Sequence, residues 1–355
     1  MTNSKTVNTK NNDNPDYAKY IGKKVTFLIV CTIVLIIVAL VALSIGSANL
    51  SISEVVDQIL NQNGIAWSIR FPRVLVATVA GAMLAVAGTV MQCILKNPLS
   101  EPYTLGLSQA AAFGAAFAIV ILDAGNMFSN TKDAVVISNQ YAVTLCAFFF
   151  SLISTGVVLV LTRLTRVSPE AIVLSGVVMG SIFAAARTAI QYFANEIQLA
   201  SIVYWTFGDL SRITLDNLVL ITVVSLPVLV YFIYNRWNYN AIDAGIDTAS
   251  SLGVNVSRHI LVGMVFSSLV AALIVSLMGV IGFVGLLAPH MVRRVIGSDH
   301  RFVIPAALLV GALILLISDT LARTIISPLV LPVGVITSFL GGPLFLLILI
   351  RGYRK

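Results

Sequence analysis

The sequence predicts an all-α, polytopic membrane protein with about ten transmembrane helices. Hydrophobic residues make up 58% of the 355 residues and charged residues only 10%, which leaves too little polar surface for a soluble protein of this length. Uninterrupted apolar runs of about 20 residues recur, and an α-helix needs this length to cross a hydrocarbon core. A transmembrane β-barrel would instead show ten-residue alternations of polar and apolar side chains.

The chain is predicted to begin with a disordered cytoplasmic tail, Met1–Lys24, because this segment has too few apolar residues to fold. Residues 25–355 form one transmembrane domain. The first apolar run is too long for a signal peptide and follows a polar tail, so it counts as a span. The predicted spans are Val25–Ile45, Val74–Ile94, Tyr103–Leu122, Tyr141–Leu161, Glu170–Ala194, Asp216–Tyr234, His259–Gly279, Phe283–Ile296, Phe302–Leu321 and Val333–Ile350.

Glycine and proline mark the least regular boundaries. Gly279, Gly282 and Gly285 supply a turn that divides an apolar stretch too long for one crossing into the seventh and eighth spans. Pro72 stiffens the start of the second span, and Pro98 stops its other end.

Basic residues orient the chain with both termini in the cytoplasm. In this orientation most of the 22 lysines and arginines lie in inner segments, which also explains the net charge of +7 without a nucleic acid partner. Arg187 lies within a span. The basic residues of the outer segments are Arg70, Arg73, Lys132, Arg212 and Arg323.

No catalytic, disulfide or metal site is predicted. The three cysteines, Cys31, Cys93 and Cys146, fall in different apolar runs, and the three histidines show no ligand spacing. The carboxylates are scattered, and no nucleophile lies near a plausible base, so the chain is not expected to be an enzyme.

Several motifs follow one another from Arg70 to Ile350. They are RFPR, GAMLAVAGTVMQCILKNPLSEPYTLGLS, WTFGDLS, ASSLGVNVSR, GVIGFVGLLAPHMVRRVIGSDHR, LISDTLAR and LPVGVITSFLGGPLFLLIL. Together they resemble the FecCD family of ABC importer permeases, which move ferric siderophores, haem and cobalamin. Because the motifs are long and colinear, a chance resemblance is improbable.

The resemblance implies a ten-helix permease in the plasma or inner membrane. It would pair with a second permease, as a homo- or heterodimer, around a central pathway. An extracytoplasmic binding protein would deliver the substrate, and two cytoplasmic ATPase subunits would drive transport. The chain has no G-x-x-x-x-G-K-[ST] loop, so it is expected to bind no cofactor and to leave ATP hydrolysis to the partner.

The resemblance also implies that Arg70, Arg73 and Arg323 pair with glutamates of the binding protein. As exposed pairs they would each contribute only about 0 to 1 kcal/mol, which orients docking more than it holds the complex. The alternative is that these arginines only snorkel to lipid headgroups.

Two cytoplasmic gates are implied as well. The first is Asn97, Pro98 and Leu99, although Asn-Pro also stops a helix for a local reason, so a plain helix stop is the alternative. The second is Ser168, Pro169 and Glu170, where the match to the family is one of position more than of residue type.

The polar segment 235–257 matches the family's coupling helices, which fit a cleft in the ATPase. Its apolar residues recur near helical spacing, its aspartates occupy another face, and a glycine ends the pattern. A helix lying on lipid headgroups is the alternative, but such helices usually carry Lys or Arg. The residues concerned are Ile242, Asp243, Ile246, Asp247, Ala249, Leu252 and Gly253.

Arg187 lies in the fifth span, with Gln191 one turn later on the same face. Placing a guanidinium in a span costs at least about 2.5 kcal/mol on insertion scales, so it needs a partner, water or a ligand. Backbone carbonyls or Glu196 would be structural partners. The functional hypothesis is that Arg187 and Gln191 line the substrate pathway and favour an anionic chelate.

The sequence therefore predicts the permease of an ATP-driven importer for an iron chelate, either a ferric siderophore or haem. Cobalamin or an oxyanion is the alternative substrate within the same family. An ion-coupled secondary transporter is the alternative of another class, but it would carry midplane acidic residues or inverted repeats, and the sequence shows neither.

Overall fold

The computed structural model describes residues 15–46, 50–124, 139–165, 169–211, 213–327 and 329–352. Over these residues the fold is all-helical. The helices are α1 (Pro15–Ser44), α2 (Ile52–Leu60), α3 (Phe71–Ile94), α4 (Leu107–Val120), α5 (Gln140–Thr165), α6 (Pro169–Phe193), α7 (Glu196–Thr206), α8 (Leu215–Tyr234), α9 (Arg236–Ala244), α10 (Ile246–Ser251), α11 (Val256–Met278), α12 (Val284–Ile296), α13 (His300–Thr324) and α14 (Val333–Gly352).

Seven helices are long and apolar enough to cross a membrane, namely α1, α3, α5, α6, α8, α11 and α13. Two shorter apolar helices lie within α4 and α14, and α12 coincides with the remaining predicted span. The prediction of an all-α, multi-pass membrane protein is confirmed. The count of ten crossings and the cytoplasmic location of the termini stay predictions.

Helix α1 begins at Pro15, so the assignment of residues 15–24 to a disordered tail is wrong. Packing of this extension against α13 orders it despite its polar composition. The Lys24 ammonium lies 3.9 Å from the centre of the Tyr20 ring and 4.8 Å from that of Phe302. It is also 3.7 Å from a carboxylate oxygen of Asp299. Residues 1–14 lie outside the described part of the chain.

Helix α3 forms the centre of the fold. In the most apolar stretch of 18 residues around this helix, 83% of the residues are buried within the protein, compared with 6% in the corresponding stretch of α1. It packs against α8, α9, α11, α12 and α13. A Cβ atom added to Gly88 would lie 1.9 Å from the carbonyl oxygen of Gly285 in α12, and one added to Gly81 would lie 2.4 Å from that of Gly311 in α13. The missing side chains let these backbones approach closely.

The predicted glycine turn between the seventh and eighth spans is confirmed. Helix α11 ends at Met278, Gly279 has φ +79°, and α12 begins at Val284 after Phe283 in the left-handed region, φ 68°. The third predicted span begins later than expected, because a 3-10 turn and Gly106, φ +76°, precede α4.

Candidate functional site

A group of charged residues joins three helices at the end of the molecule where α3 begins, and we name this end the Arg70 end. The arginine cluster consists of Arg70, Arg73, Asp319 and Arg323. The Asp319 side chain is fully buried, and its carboxylate oxygens lie 2.7 Å from Nε of Arg73 and 3.1 Å from Nε of Arg323. The cluster therefore ties the start of α3 to the end of α13.

The same cluster caps helix α1. Nη1 of Arg70 donates to the carbonyl oxygens of Leu43 and Ser44, both at 2.8 Å. Arg323 donates to two more carbonyl oxygens near the end of α1, at 3.2 and 3.3 Å. Carbonyl groups in the last turn of a helix have no partner within the helix, so these guanidinium groups satisfy them.

The expectation that Arg70, Arg73 and Arg323 lie exposed is wrong. Their exposed fractions are 4%, 5% and 8%. Burial of these charges is compensated within the chain, by Asp319 and by the α1 carbonyl groups. The motif LISDTLAR contained the relevant signal, because its aspartate lies four residues before Arg323 on the same helix face. The docking role itself stays a prediction.

The opposite end of α3, which we name the Asn97 end, carries the first predicted gate. Lys96, two residues after the end of α3 at Ile94, has φ +48° and lies outside the helix. In the turn that follows, Oδ1 of Asn97 accepts a hydrogen bond of 2.9 Å from the backbone N–H of Leu99, which is 47% exposed. Nε2 of His290 in α12 donates to the carbonyl oxygen of Pro98 at 2.8 Å. The turn is thus fixed to α12 while Leu99 remains free to contact something outside the fold.

The second predicted gate lies beside the same part of the molecule. Ser168 falls outside the described residues. Pro169 begins α6 and is half-buried, and Glu170 is exposed. Pro169 and Ile94, near the end of α3, both line a cavity of about 730 Å³. Ile94 lies three residues before Asn97, so the second gate segment faces the end of α3 across this cavity, while the gating roles of both segments stay predictions.

Three buried polar atoms follow the first gate. Oγ of Ser100, Oε2 of Glu101 and the hydroxyl of Tyr103 have no hydrogen-bond partner among the residues described. Burial raises the pKa of Glu101 to about 7. This carboxyl therefore changes charge near neutral pH. Nothing in the residue pattern of this segment predicts its burial.

The coupling segment forms two short helices, α9 and α10. Gly245, φ +134°, separates α9 from α10, and Gly253, φ +80°, follows α10. Ile242 and Ala249 are buried and anchor the two helices, with exposed fractions of 1% and 0%. The other members of the predicted set lie exposed on the surface: Asp243, Ile246, Asp247, Leu252 and Gly253.

Helix α9 is fastened to the end of α3. Nζ of Lys96 donates to the carbonyl oxygen of Ile242 and lies 3.9 Å from Oδ1 of Asp243. Lys96 directly precedes Asn97 in the chain. A displacement of α9 therefore acts on the residue next to the first predicted gate.

Helix α9 is also fastened to the start of α13. The side-chain amide of Asn240 donates to Oδ1 of Asp299 at 2.9 Å and accepts from the backbone N–H of His300 at 2.7 Å. Burial opposes ionisation of Asp299, but hydrogen bonds from Arg301 and Asn240 outweigh this effect and lower its pKa. Asp299 thus remains ionised and keeps this junction intact.

Arg187 lies six residues before the end of α6 at Phe193, so it is closer to the end of the helix than to its middle. It is half-buried, and its Nε is buried without a hydrogen-bond partner. Within the described chain no ion pair joins it to Glu196. Gln191 is also half-buried on the same face. The pathway role of both residues stays a prediction.

Comparison with known proteins identifies the family. Residues 34–351 match the family model of the FecCD transport family. The chain is 47% identical over 344 residues to a protein of Methanocaldococcus jannaschii that is named as an ABC transporter permease, covering 96% of this chain and 98% of that protein. It is 34% identical over 323 residues to the hemin transport system permease protein HmuU of Yersinia pestis, covering 89% of this chain and 94% of HmuU.

The fold of this chain is also similar to that of a solved transporter structure. A solved metal-chelate type ABC transporter in an inward-facing conformation matches with a TM-score of 0.81 and 28% identity, over 92% of this chain and 99% of the other. The family match, the relatives and the fold each extend over nearly the whole chain. The chain therefore belongs to the FecCD transport family and is a membrane-embedded permease of an ABC importer, a transport subunit and not an enzyme.

Proposed function

We propose that this permease imports an anionic iron chelate, either haem or a ferric siderophore that carries carboxylate or catecholate groups. Nε of Arg187, which is buried without a hydrogen-bond partner among the described residues, carries the proposal. Similarity to a hemin permease and to a metal-chelate type transporter supports it. Cobalamin or an oxyanion is the alternative substrate. The secondary-transporter alternative is wrong, since the chain belongs to an ABC importer family.

The position of Arg187 suits a ligand that enters from the Arg70 end. Helix α6 leads through α7 to Asp209, and Oδ1 of Asp209 lies 3.9 Å from Nη2 of Arg73 in the arginine cluster. At its other end α6 begins with Pro169, which lines a cavity together with Ile94, so Arg187 lies towards the end of α6 that is remote from the Asn97 end. A cation without an internal partner is stabilised by an anionic group that comes from outside the chain.

The proposed assembly contains a second permease subunit, two cytoplasmic ATPase subunits and an extracytoplasmic binding protein, in the plasma or inner membrane. The binding protein docks at the Arg70 end. Because the arginine cluster is buried, it would act mainly as the framework that fixes the ends of α1, α3 and α13 beneath the docking surface. The ATPase binds the coupling segment through exposed Ile246 and Leu252, which are 46% and 69% exposed.

The contacts of α9 suggest how ATP hydrolysis opens the pathway. Closure of the ATPase pair would move α9 and α10 together. The bond from Lys96 to Ile242 would then pass this movement to Asn97, while the bond from His290 to Pro98 would couple the turn to α12. Alternating access follows if the two gate segments separate on one side of the membrane as the other side closes.

The substrate proposal is tested with purified transporter in proteoliposomes, together with the cognate binding protein and ATPase. Uptake of an anionic ferric tricatecholate or haem is compared with uptake of a neutral ferric hydroxamate. In Arg187→Gln, anionic uptake should fall at least about tenfold, since a charge-assisted hydrogen bond contributes about 1.5 to 3 kcal/mol. Uptake of the neutral chelate, if it is transported, should not change.

The matched control is Arg294→Gln, which removes an exposed arginine at the end of α12 and should leave both rates unchanged. Unchanged anionic uptake in Arg187→Gln would disprove the role of Arg187. Equal loss for the anionic and the neutral chelate would show a structural role instead of charge selection.

A further inference from the structure

Three potential metal ligands from three helices meet at the Asn97 end. They are the thiol of Cys93 in α3, the carboxylate of Asp243 in α9 and the imidazole of His300 in α13, and their ligand atoms all lie within 4.8 Å of one another. Cys93 and His300 are buried, whereas the Asp243 side chain is 32% exposed. The group is therefore enclosed on two sides and open to solvent on the carboxylate side.

The surroundings of the imidazole favour a cation. Nδ1 of His300 lies 3.4 Å from Oδ2 of Asp243 and 3.2 Å from Oδ1 of Asn240. Both oxygens are acceptors, because the amide of Asn240 is oriented by the bond it donates to Asp299. A proton or a metal ion must therefore lie between Nδ1 and these oxygens. Nε2 is buried without a partner among the described residues, so it is available to hold the proton of a neutral ring.

The two carboxylate oxygens of Asp243 face different partners. Nζ of Lys96 faces Oδ1 of Asp243 at 3.9 Å, whereas Oδ2 faces His300. Sγ of Cys93 donates a weak hydrogen bond of 3.4 Å to the carbonyl oxygen of Tyr239, and binding of an ion would release this proton. One thiolate and one carboxylate together balance the charge of a divalent ion.

We propose that Cys93, Asp243 and His300 bind a borderline-soft divalent cation, with Zn²⁺ as the best match, and leave a fourth position for water. A thiolate, an imidazole and one carboxylate oxygen suit Zn²⁺ better than Mg²⁺ or Ca²⁺, which prefer oxygen ligands. A bound ion would fasten α9 to α3 and α13, and would thereby restrain the coupling segment. The three ligands come from segments far apart in the chain, so their spacing in the sequence does not predict a metal site.

The test uses the purified full-length permease in detergent, treated with a chelator and then titrated with Co²⁺ alone. A thiolate ligand gives a sulfur-to-Co²⁺ charge-transfer absorption, expected to saturate at one ion per chain and to be displaced by Zn²⁺. Cys93→Ser should abolish this band. Cys31→Ser, which changes another buried free thiol in α1, should retain it. Asp243→Asn should weaken Co²⁺ binding at least about tenfold, as loss of a ligand at a metal site does.

Thermal unfolding of each variant separates loss of binding from loss of folding. Zn²⁺ should raise the unfolding midpoint of the wild-type protein and of Cys31→Ser, and should raise that of Asp243→Asn less at the same concentration. Absence of the absorption band in the folded wild-type protein would overturn the proposal. A band that persists in Cys93→Ser, or a Zn²⁺ response that Asp243→Asn retains in full, would overturn it as well.

Discussion

At the scale of single residues, Asp319 determines whether the arginine cluster is stable. Burying a charged group away from water costs several kcal/mol. Attraction to a buried partner of opposite charge offsets this cost, and removal of the partner leaves it uncompensated. Asp319 serves Arg73 and Arg323 at once, at 2.7 and 3.1 Å. Its loss would leave the buried guanidinium of Arg323 without a carboxylate partner among the described residues, and would leave Arg73 with only Asp209, at 3.9 Å.

Asp319→Asn should therefore lower the free energy of unfolding by about 3 to 5 kcal/mol. The measurement is denaturant-induced unfolding in mixed micelles, followed by tryptophan fluorescence. Asp247→Asn, at an exposed position in α10, is the matched control and should change stability by no more than about 0.5 kcal/mol. A similar small effect of both substitutions would mean that the cluster does not stabilise the fold.

Glu101 gives the region after the first gate a dependence on pH. Its pKa in the folded protein is about 7, above the usual value of 4.5 that applies in the unfolded chain. Between these two values the folded state holds a proton that the unfolded state has lost, so the stability of the protein falls as the pH rises from about 4.5 to about 7. Above this range the destabilising effect is complete and constant.

Glu101→Gln should remove this dependence, because the amide cannot ionise. Between pH 5.5 and pH 8 the unfolding temperature of the wild-type protein should fall by more than that of Glu101→Gln, measured under the same conditions. Glu170→Gln changes an exposed carboxylate at the start of α6 and should keep the wild-type difference. If the unfolding temperatures of the wild-type protein and of Glu101→Gln changed with pH by the same amount, the raised pKa of Glu101 would be contradicted.

At the scale of the secondary-structure element, α3 depends on glycine where it crosses α12 and α13. Gly88→Ala would place a Cβ atom 1.9 Å from the backbone oxygen of Gly285, which cannot move without displacing α12. The expected loss of stability is at least about 1 to 3 kcal/mol, the usual cost of overpacking a core. It is measured by denaturant unfolding in micelles.

Gly156→Ala in α5 is the control for this prediction, because a Cβ atom there meets nothing within 4 Å. It should be neutral or should stabilise the protein by up to about 1 kcal/mol, as alanine favours a helix more than glycine does. If both alanine variants were equally stable, close approach of α3 and α12 would not be required for folding.

Properties of single elements could be predicted from the sequence, and contacts between distant elements could not. Apolar length predicts the helices, and the glycines predict the turn before α12, because both depend on local geometry. Pairing of Arg73 with Asp319 joins residues far apart in the chain, and the same holds for the Cys93, Asp243 and His300 group. Local spacing carries no information about such contacts. The burial of Glu101 was missed for the same reason.

At the scale of the whole molecule, the exposed apolar surface divides into two kinds. In helices α1, α6 and α8 most residues of the apolar stretch are not buried within the protein. Contact with lipid or with a second subunit requires such exposed apolar side chains. Ile246 and Leu252 are exposed at the Asn97 end beside aspartates, a combination that disfavours lipid headgroups. They are better suited to a protein partner.

The double substitution of Ile246→Ser with Leu252→Ser should reduce capture of the cognate ATPase by the permease at least about tenfold, since buried apolar side chains in an interface often contribute 1 kcal/mol or more each. The control is Ile52→Ser with Leu60→Ser in α2, where both side chains are at least as exposed but lie at the Arg70 end. Equal capture by both double variants would rule out α10 as the ATPase contact.

The central position of α3 has a consequence for biosynthesis. Gly88 contacts Gly285, which the ribosome adds 197 residues later (285 − 88). At about 5 to 20 residues per second, α3 waits roughly 10 to 40 s before its partner exists. During this interval its long apolar stretch lets it reside in lipid as an independent helix. When the later helices are in place, protein contacts replace lipid around almost all of the surface of α3. The last third of the chain therefore decides whether the second span reaches its final position.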